Sequence, residues 1–99
     1  MTRGTTPTHT FRLPFSADIA EKIRIIYAQN DNVVLEKSES DCTINGDTIS
    51  VALSQEDTFS FDTKSNVQIQ LRVLTAGNNA LASKILIASV AECLTEEVL

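Results

Sequence analysis

The chain of 99 residues is poor in the side chains from which catalytic and metal sites are built. It has no tryptophan, a single histidine (His9), and two cysteines, Cys42 and Cys93, whose spacing matches no zinc motif. A hydrolytic triad around His9 would need an activated nucleophile, and no Gly-x-Ser-x-Gly motif is present. We therefore expect no enzyme, no cofactor and no metal. His9 is interpreted as a strand-edge residue, and both cysteines are expected to be reduced.

Basic residues and long apolar runs are also scarce. Eight Lys and Arg residues stand against 13 Asp and Glu, which gives a net charge of −5. No basic stripe interrupts this acidity, so neither nucleic acid nor an anionic membrane is an expected partner. The longest apolar runs, such as residues 85–88, are too short to cross a bilayer, and the first residues lack the apolar segment of a signal peptide. The sequence predicts a soluble protein.

Alternation of apolar and polar residues is the dominant pattern. It is clearest over residues 67–75, where Val67, Ile69, Leu71 and Val73 are predicted to face inward. Shorter segments of strand character occupy residues 8–13, 23–29, 33–37, 42–44, 48–53 and 83–90. In the hairpin over residues 42–53, Cys42, Ile44, Ile49, Val51 and Leu53 are predicted to face inward.

Turn signals separate these segments. The residues 30–32 and the Asn45-Gly46 pair predict tight hairpins. Residues 16–21 predict one helical turn, and Ser54 with Asp57 predicts a capping box at a crossing between two sheets. Phe59 and Phe61 are predicted to fill the core. The last residues, 91–99, predict either a short helix or a loose extension.

About seven short strands and no long helix predict an all-β fold. We expect the strands to pair antiparallel, because parallel strands need crossover connections of a dozen or more residues. Residues 1–99 are expected to form a single domain: two antiparallel sheets packed as an immunoglobulin-like sandwich, with at most one or two short helical turns. A barrel is the alternative.

Several apolar residues lie opposite the predicted inward sets. The candidate interface consists of Ile26, Ala28, Val34, Leu74, Leu86 and Val90. A joined apolar patch marks a site of self-association or partner binding. The alternative is that these residues pack beneath the N-terminal segment, the turn after Ser16 and the last residues.

A ligand-binding module is the second functional hypothesis, for a glycan or Ca²⁺. Its sites would be the loops over residues 30–32 and 62–66. The acidic residues Glu39, Asp41 and Asp47 gather around the Asn-Gly hairpin, but their spacing matches no EF-hand loop.

Segments spread over nearly the whole chain resemble short uncharacterised proteins encoded in phage and prophage structural clusters of Gram-positive bacteria. The segments are TPTHTF, IIYAQN, VVLEK, LSQEDT, VQIQLRVLT and ALAS, in this order. The resemblance implies a structural role in a virion, in a tail or baseplate, through contacts with other copies or with other phage structural proteins. It also implies a location in the virion or the bacterial host cytoplasm, and it carries over no catalytic residue.

Overall fold

The structure is a computed structural model that describes all 99 residues. The strands are β1 (Thr8–Arg12), β2 (Ala20–Gln29), β3 (Asn32–Ser38), β4 (Cys42–Asn45), β5 (Thr48–Ala52), β6 (Val67–Thr75), β7 (Ala80–Ala82) and β8 (Leu86–Ala88). A smaller antiparallel sheet has the order β1-β5-β4, and a larger one has the order β3-β2-β6, with β7 and β8 both paired to β6. No ladder joins the two sheets, so the predicted two-sheet sandwich is confirmed and the barrel alternative is wrong.

The pairing of β2 with β6 forms the centre of the larger sheet. Ile25 lies opposite Leu71, and Tyr27 lies opposite Ile69. All four side chains are buried, as are Ile49 and Val51 from the smaller sheet. Thirteen buried apolar residues form one cluster between the sheets. The inward face predicted for β6 is therefore confirmed residue by residue.

Both predicted hairpins are present. Asn30 and Asp31 have φ values of 50° and 62°, and they connect the paired residues Gln29 and Asn32. In the second hairpin Asn45 pairs with Thr48, so the central residues are Gly46 and Asp47. Gly46, with φ of 62°, stands first in this turn, where a type II′ turn uses glycine. The turn therefore lies one residue later than an Asn-Gly type I′ turn would.

The capping box predicts its helix correctly. Ser54 Oγ accepts a hydrogen bond from the Asp57 N–H at 3.0 Å, and Asp57 Oδ2 accepts one from the Ser54 N–H at 2.9 Å. The resulting helix α1 (Gln55–Phe59) carries the chain from β5 in the smaller sheet to β6 in the larger one. Two 3-10 turns, Ala17–Ile19 and Glu39–Asp41, complete the helical content, and the first of them lies within the predicted turn.

The single strand predicted over residues 83–90 is wrong. The Ser83 N–H donates to the Leu71 carbonyl, but the Leu71 N–H donates to Ser83 Oγ instead of to a backbone oxygen. Because a hydroxyl replaces a carbonyl at this point, the ladder along β6 is interrupted. Residues 80–82 form β7, residues 86–88 form β8, and residues 83–85 belong to neither strand.

The inward prediction for Phe59 is wrong, whereas Ile44 faces inward but stays exposed. Ile44 lies opposite the buried Ile49 and is 42% exposed because β4 is an edge strand of the smaller sheet. Phe59 is half-buried outside the core, against Gly4, where an added Cβ would lie 2.6 Å from the ring. Phe61 alone fills the core as predicted.

Residues 91–99 form no helix. Ala91 makes an isolated parallel bridge with Thr2, Arg3 forms an ion pair with Glu96, and the Gln55 amide binds the Leu99 backbone. None of the helices in the structure is long and apolar enough to span a membrane.

Leu71→Ala is expected to destabilise the domain by about 2–5 kcal/mol, because Leu71 is buried between the sheets and truncation leaves a cavity. Leu94→Ala is the matched control, since Leu94 is fully exposed and its truncation removes no packing. Urea unfolding of both variants measures the difference. Equal stabilities would contradict the inward assignment of β6.

Candidate interaction surface

The two lateral sides of the sandwich differ. On one side β3 and β4 are joined directly by the 3-10 turn Glu39–Asp41. On the other side β1 of the smaller sheet and the residues that follow it, 13–15, line a groove together with β7 of the larger sheet. We call the segment of residues 80–88 the β7–β8 edge, because it ends the larger sheet on this open side.

The β7–β8 edge concentrates exposed apolar side chains. Leu81 is 44% exposed, and the consecutive residues Ile85, Leu86 and Ile87 are 55%, 49% and 67% exposed. β8 pairs with β6 through only three residue pairs. β8 has no other strand partner, so its second edge is unpaired.

An apolar groove opens beside β7, between the two sheets. Its volume is about 360 Å³. The apolar part of its lining is Phe11, Leu13, Pro14, Phe15, Leu71, Val73, Leu81 and Ala82. Leu81 belongs to both the groove and the β7–β8 edge, so the groove adjoins the β7 part of this edge.

The residues predicted as an interface do not form one patch. Ile26 and Ala28 lie on the outer face of the larger sheet, in register with the outward residues Gln70 and Gln68. Leu74 lies on the same face, but the row formed by Arg24 and Arg72 separates it from Ile26. The outer face is therefore interrupted by polar and charged side chains.

The remaining candidates lie elsewhere. A β-bulge on β3 leaves Val34 without a partner on β2, and its side chain packs against the core. Val90 also packs against the core. Leu86 lies opposite the buried Ile69, so it is on the inner side of the sheet and is exposed only because β8 is an edge.

Sequence reasoning missed the most exposed apolar residues in and beside the strands. Val33 is 62% exposed on the outer face, because the bulge at Val34 shifts the alternation along β3. Ile85 and Ile87 belong to an apolar run without alternation. Such a run is typical of a buried strand, and nothing in the sequence shows that β8 ends its sheet.

His9 is half-buried on the edge strand β1, and its ring contacts Tyr27 of the larger sheet. Its Nδ1 atom is 2.7 Å from Tyr27 Oη, and the Tyr27 ring packs against Phe61. Burial lowers the pKa of His9 and raises the pKa of Tyr27, so the neutral forms of both groups are favoured. His9 therefore provides the hydrogen-bond partner of the buried Tyr27 hydroxyl. The prediction of a strand-edge residue does not include this contact.

A second polar pair lies near the first. Lys37 Nζ and Asp57 Oδ2 are 2.9 Å apart, and both side chains are largely buried. Burial would raise the pKa of Asp57, but the Ser54 N–H and the Lys37 ammonium together hold it below its usual value. The ion pair therefore joins β3 to α1 across the sandwich.

The acidic residues near the second hairpin each have a separate basic or backbone partner. Glu39 binds Arg24 at 2.6 Å, Asp41 accepts from the Ser38 N–H at 3.0 Å, and Asp47 lies 3.8 Å from Arg12. The structure contains no group of three or more His, Cys, Asp and Glu side chains placed to hold a metal ion.

The loops predicted to bind a ligand do meet. Gln29 Nε2 donates to the carbonyls of Asp62 and Ser65, at 2.7 Å and 2.9 Å, and Ser65 Oγ donates to Asn30 Oδ1 at 3.1 Å. A shallow hollow of about 340 Å³ lies between the loops. Its lining is mostly polar: Asn30, Asp31, Ser65, Asn66 and Gln68, with Ile87.

Comparison with known proteins gives a fold and no family. No family model matches the chain, and no curated protein matches it. Among solved structures, the chain is similar to the immunoglobulin-like domain of mouse leukocyte-associated immunoglobulin-like receptor 1, which was crystallised as a strand-swapped dimer. The TM-score is 0.57 at 13% identity, over 92% of this chain and 84% of that one. The predicted immunoglobulin-like sandwich is confirmed.

We expect the stability of the domain to fall as the pH drops below 6.5. The folded-state pKa of His9 lies below 6.5, so the unfolded chain takes up the proton more readily. The contribution of the neutral imidazole is complete above pH 6.5 and is lost as the pH falls through the lowered pKa. Urea unfolding between about pH 8 and 5.5, above the range in which carboxylates titrate, measures the effect. His9→Gln is expected to show a smaller decline, and an equal decline in both proteins would contradict this role.

Proposed function

We propose that this is a non-enzymatic interaction domain that associates with further copies of itself in a phage or prophage structural assembly. The observation that carries the proposal is the β7–β8 edge, with its consecutive exposed residues Ile85, Leu86 and Ile87. An apolar strand at the edge of a sheet presents both unpaired backbone groups and an apolar surface to another chain.

The other edge of the larger sheet is more selective. β3 carries the charged residues Glu36 and Lys37 and the bulge at Val34, and these features limit the pairing of β3 to an edge that matches its charges. β8 has no charged residue and no bulge in its short pairing with β6. This difference supports a contact in which the β7–β8 edge is covered.

Two further observations support parts of the proposal. The structurally similar mouse domain forms a strand-swapped dimer, so a sandwich of this shape can associate through a strand. The phage attribution rests on the resemblance of the sequence segments, and it agrees with a small domain that has apolar edges. We propose a second copy of the same chain as the partner, because the structurally similar mouse domain pairs with a copy of itself.

The loops at the end of the sandwich support a second candidate function, the binding of a glycan or Ca²⁺. Asn30, Asp31 and Ser65 present polar atoms to one hollow, as described above. A thermal-shift measurement tests this candidate with Ca²⁺ and with simple sugars. A ligand at 100 times its Kd adds about 2.7 kcal/mol of stability, so a binder is expected to raise the melting temperature measurably. No shift with any of these ligands would count against the candidate.

The double variant Ile85→Lys/Ile87→Lys is expected to be monomeric, while the wild-type protein increases in mean mass with concentration. Two lysines on the edge would place charge in the contact that we propose. Light scattering coupled to size exclusion, over a wide range of concentration, measures the mass. Leu94→Lys is the matched control, because Leu94 is fully exposed and lies outside both sheets. A wild-type protein that stays monomeric throughout would refute self-association.

A further inference from the structure

Cross-strand rows of paired residues connect the two edges of the larger sheet, and the residues at the two ends of a row are complementary. Val33 on β3 pairs with Ala28, Ala28 pairs with Gln68, and Gln68 pairs with Ile87 on β8. This row lies on the outer face and crosses the whole sheet. Its two end residues, Val33 and Ile87, are 62% and 67% exposed and are the most exposed large apolar residues within any strand.

The next outer row carries opposite charges at its two ends. Glu36 on β3 pairs with Ile26, and Ile26 pairs with Gln70. At the opposite edge, the Gln70 amide donates to the Ser83 carbonyl at 3.1 Å, directly before Lys84. Lys84 is exposed and makes no ion pair. Glu36 is half-exposed and has one contact, with Arg24 at 3.6 Å.

The strand directions permit these edges to pair. β3 is antiparallel to β2, β2 is antiparallel to β6, and β6 is antiparallel to β8. β3 and β8 therefore run in opposite directions. A second copy that is displaced sideways in the plane of the sheet, without turning over, brings its β3 alongside the first copy's β7–β8 edge as an antiparallel neighbour.

We propose that β3 of one copy docks on the β7–β8 edge of the next, with Val33 against Ile87 and Glu36 against Lys84. The inference rests on the self-association proposed above and adds which surface of the second copy is used. The contact joins two different surfaces, so it is heterologous: each copy keeps one free edge of each kind after pairing. Repetition gives a chain of copies, and the twist of the sheet turns that chain into a ring or a helical filament.

Mixing two blocked variants tests the heterologous contact. Val33→Lys blocks the β3 edge and leaves the β7–β8 edge intact, while Ile87→Lys does the reverse. Each variant alone is expected to be monomeric at concentrations where the wild-type protein assembles. An equimolar mixture is expected to form a 1:1 dimer that grows no further, because each partner supplies one intact edge. Sedimentation velocity measures the size, and native mass spectrometry identifies the 1:1 composition.

The outcomes separate this inference from the proposed function. A Val33→Lys variant that assembles like the wild type, together with a monomeric Ile87→Lys variant, would show symmetric pairing of β8 with β8 and would overturn only the inference. A mixture that contains no 1:1 dimer would also overturn it. A monomeric wild-type protein would refute self-association and this contact together. Both substituted positions are well exposed, and circular dichroism with urea unfolding confirms that the variants remain folded.

A charge exchange provides a second and independent test. Glu36→Lys and Lys84→Glu are each expected to weaken assembly, because like charges then meet across the contact. The double variant, with both charges reversed, is expected to recover assembly. Lys64→Glu is the control, since Lys64 lies in the turn before β6 and belongs to neither β3 nor the β7–β8 edge. A double variant that fails to recover assembly would contradict the proposed pairing. So would a Lys64→Glu variant that weakens assembly to the same extent as the single variants.

Discussion

The antiparallel pairing of β2 with β6 is the constraint on which the rest of the structure depends. Both are long strands, and their inner side chains, among them Ile23, Ile25, Leu71 and Val73, supply much of the core. Every other strand of the larger sheet attaches to one of these two. The smaller sheet contributes Ile49 and Val51 from its central strand β5, and it closes the core from the opposite side.

The fold was largely predictable because local and global signals agree. Strict alternation over β6 fixes its inner face, and the Ser54–Asp57 capping box fixes the crossing between sheets. The turn residues Asn30, Asp31 and Gly46 adopt positive φ, which Asn and Asp tolerate and which glycine adopts because it has no Cβ. The structure has eight strands where the sequence predicts about seven, because residues 80–82 pair with β6 as β7 and the Ser83 hydroxyl separates them from β8.

The candidate surface was much less predictable. A period-two pattern assigns residues to two faces, but it does not tell which strand lies at an edge, and exposure depends on both. Val34 and Val33 exchange their expected positions because of a bulge, which leaves no reliable mark in the sequence. Ile87 shows the other difficulty: its apolar neighbours predict burial, while its place in β8 exposes it. The sequence places His9 on the correct strand, but its buried phenol partner, Tyr27, is 18 residues away and comes into contact only when the sheets pack.

The break at Ser83 has a consequence for reversibility. The hydroxyl accepts from Leu71 N–H and donates to the Lys84 carbonyl, so that β7 and β8 offer no continuous ladder longer than three residues each. A neighbouring strand can gain only a few main-chain hydrogen bonds from either piece. Recognition must then come mostly from side chains, and contacts of that kind can be formed and released without the runaway stacking that a long, flat edge would invite.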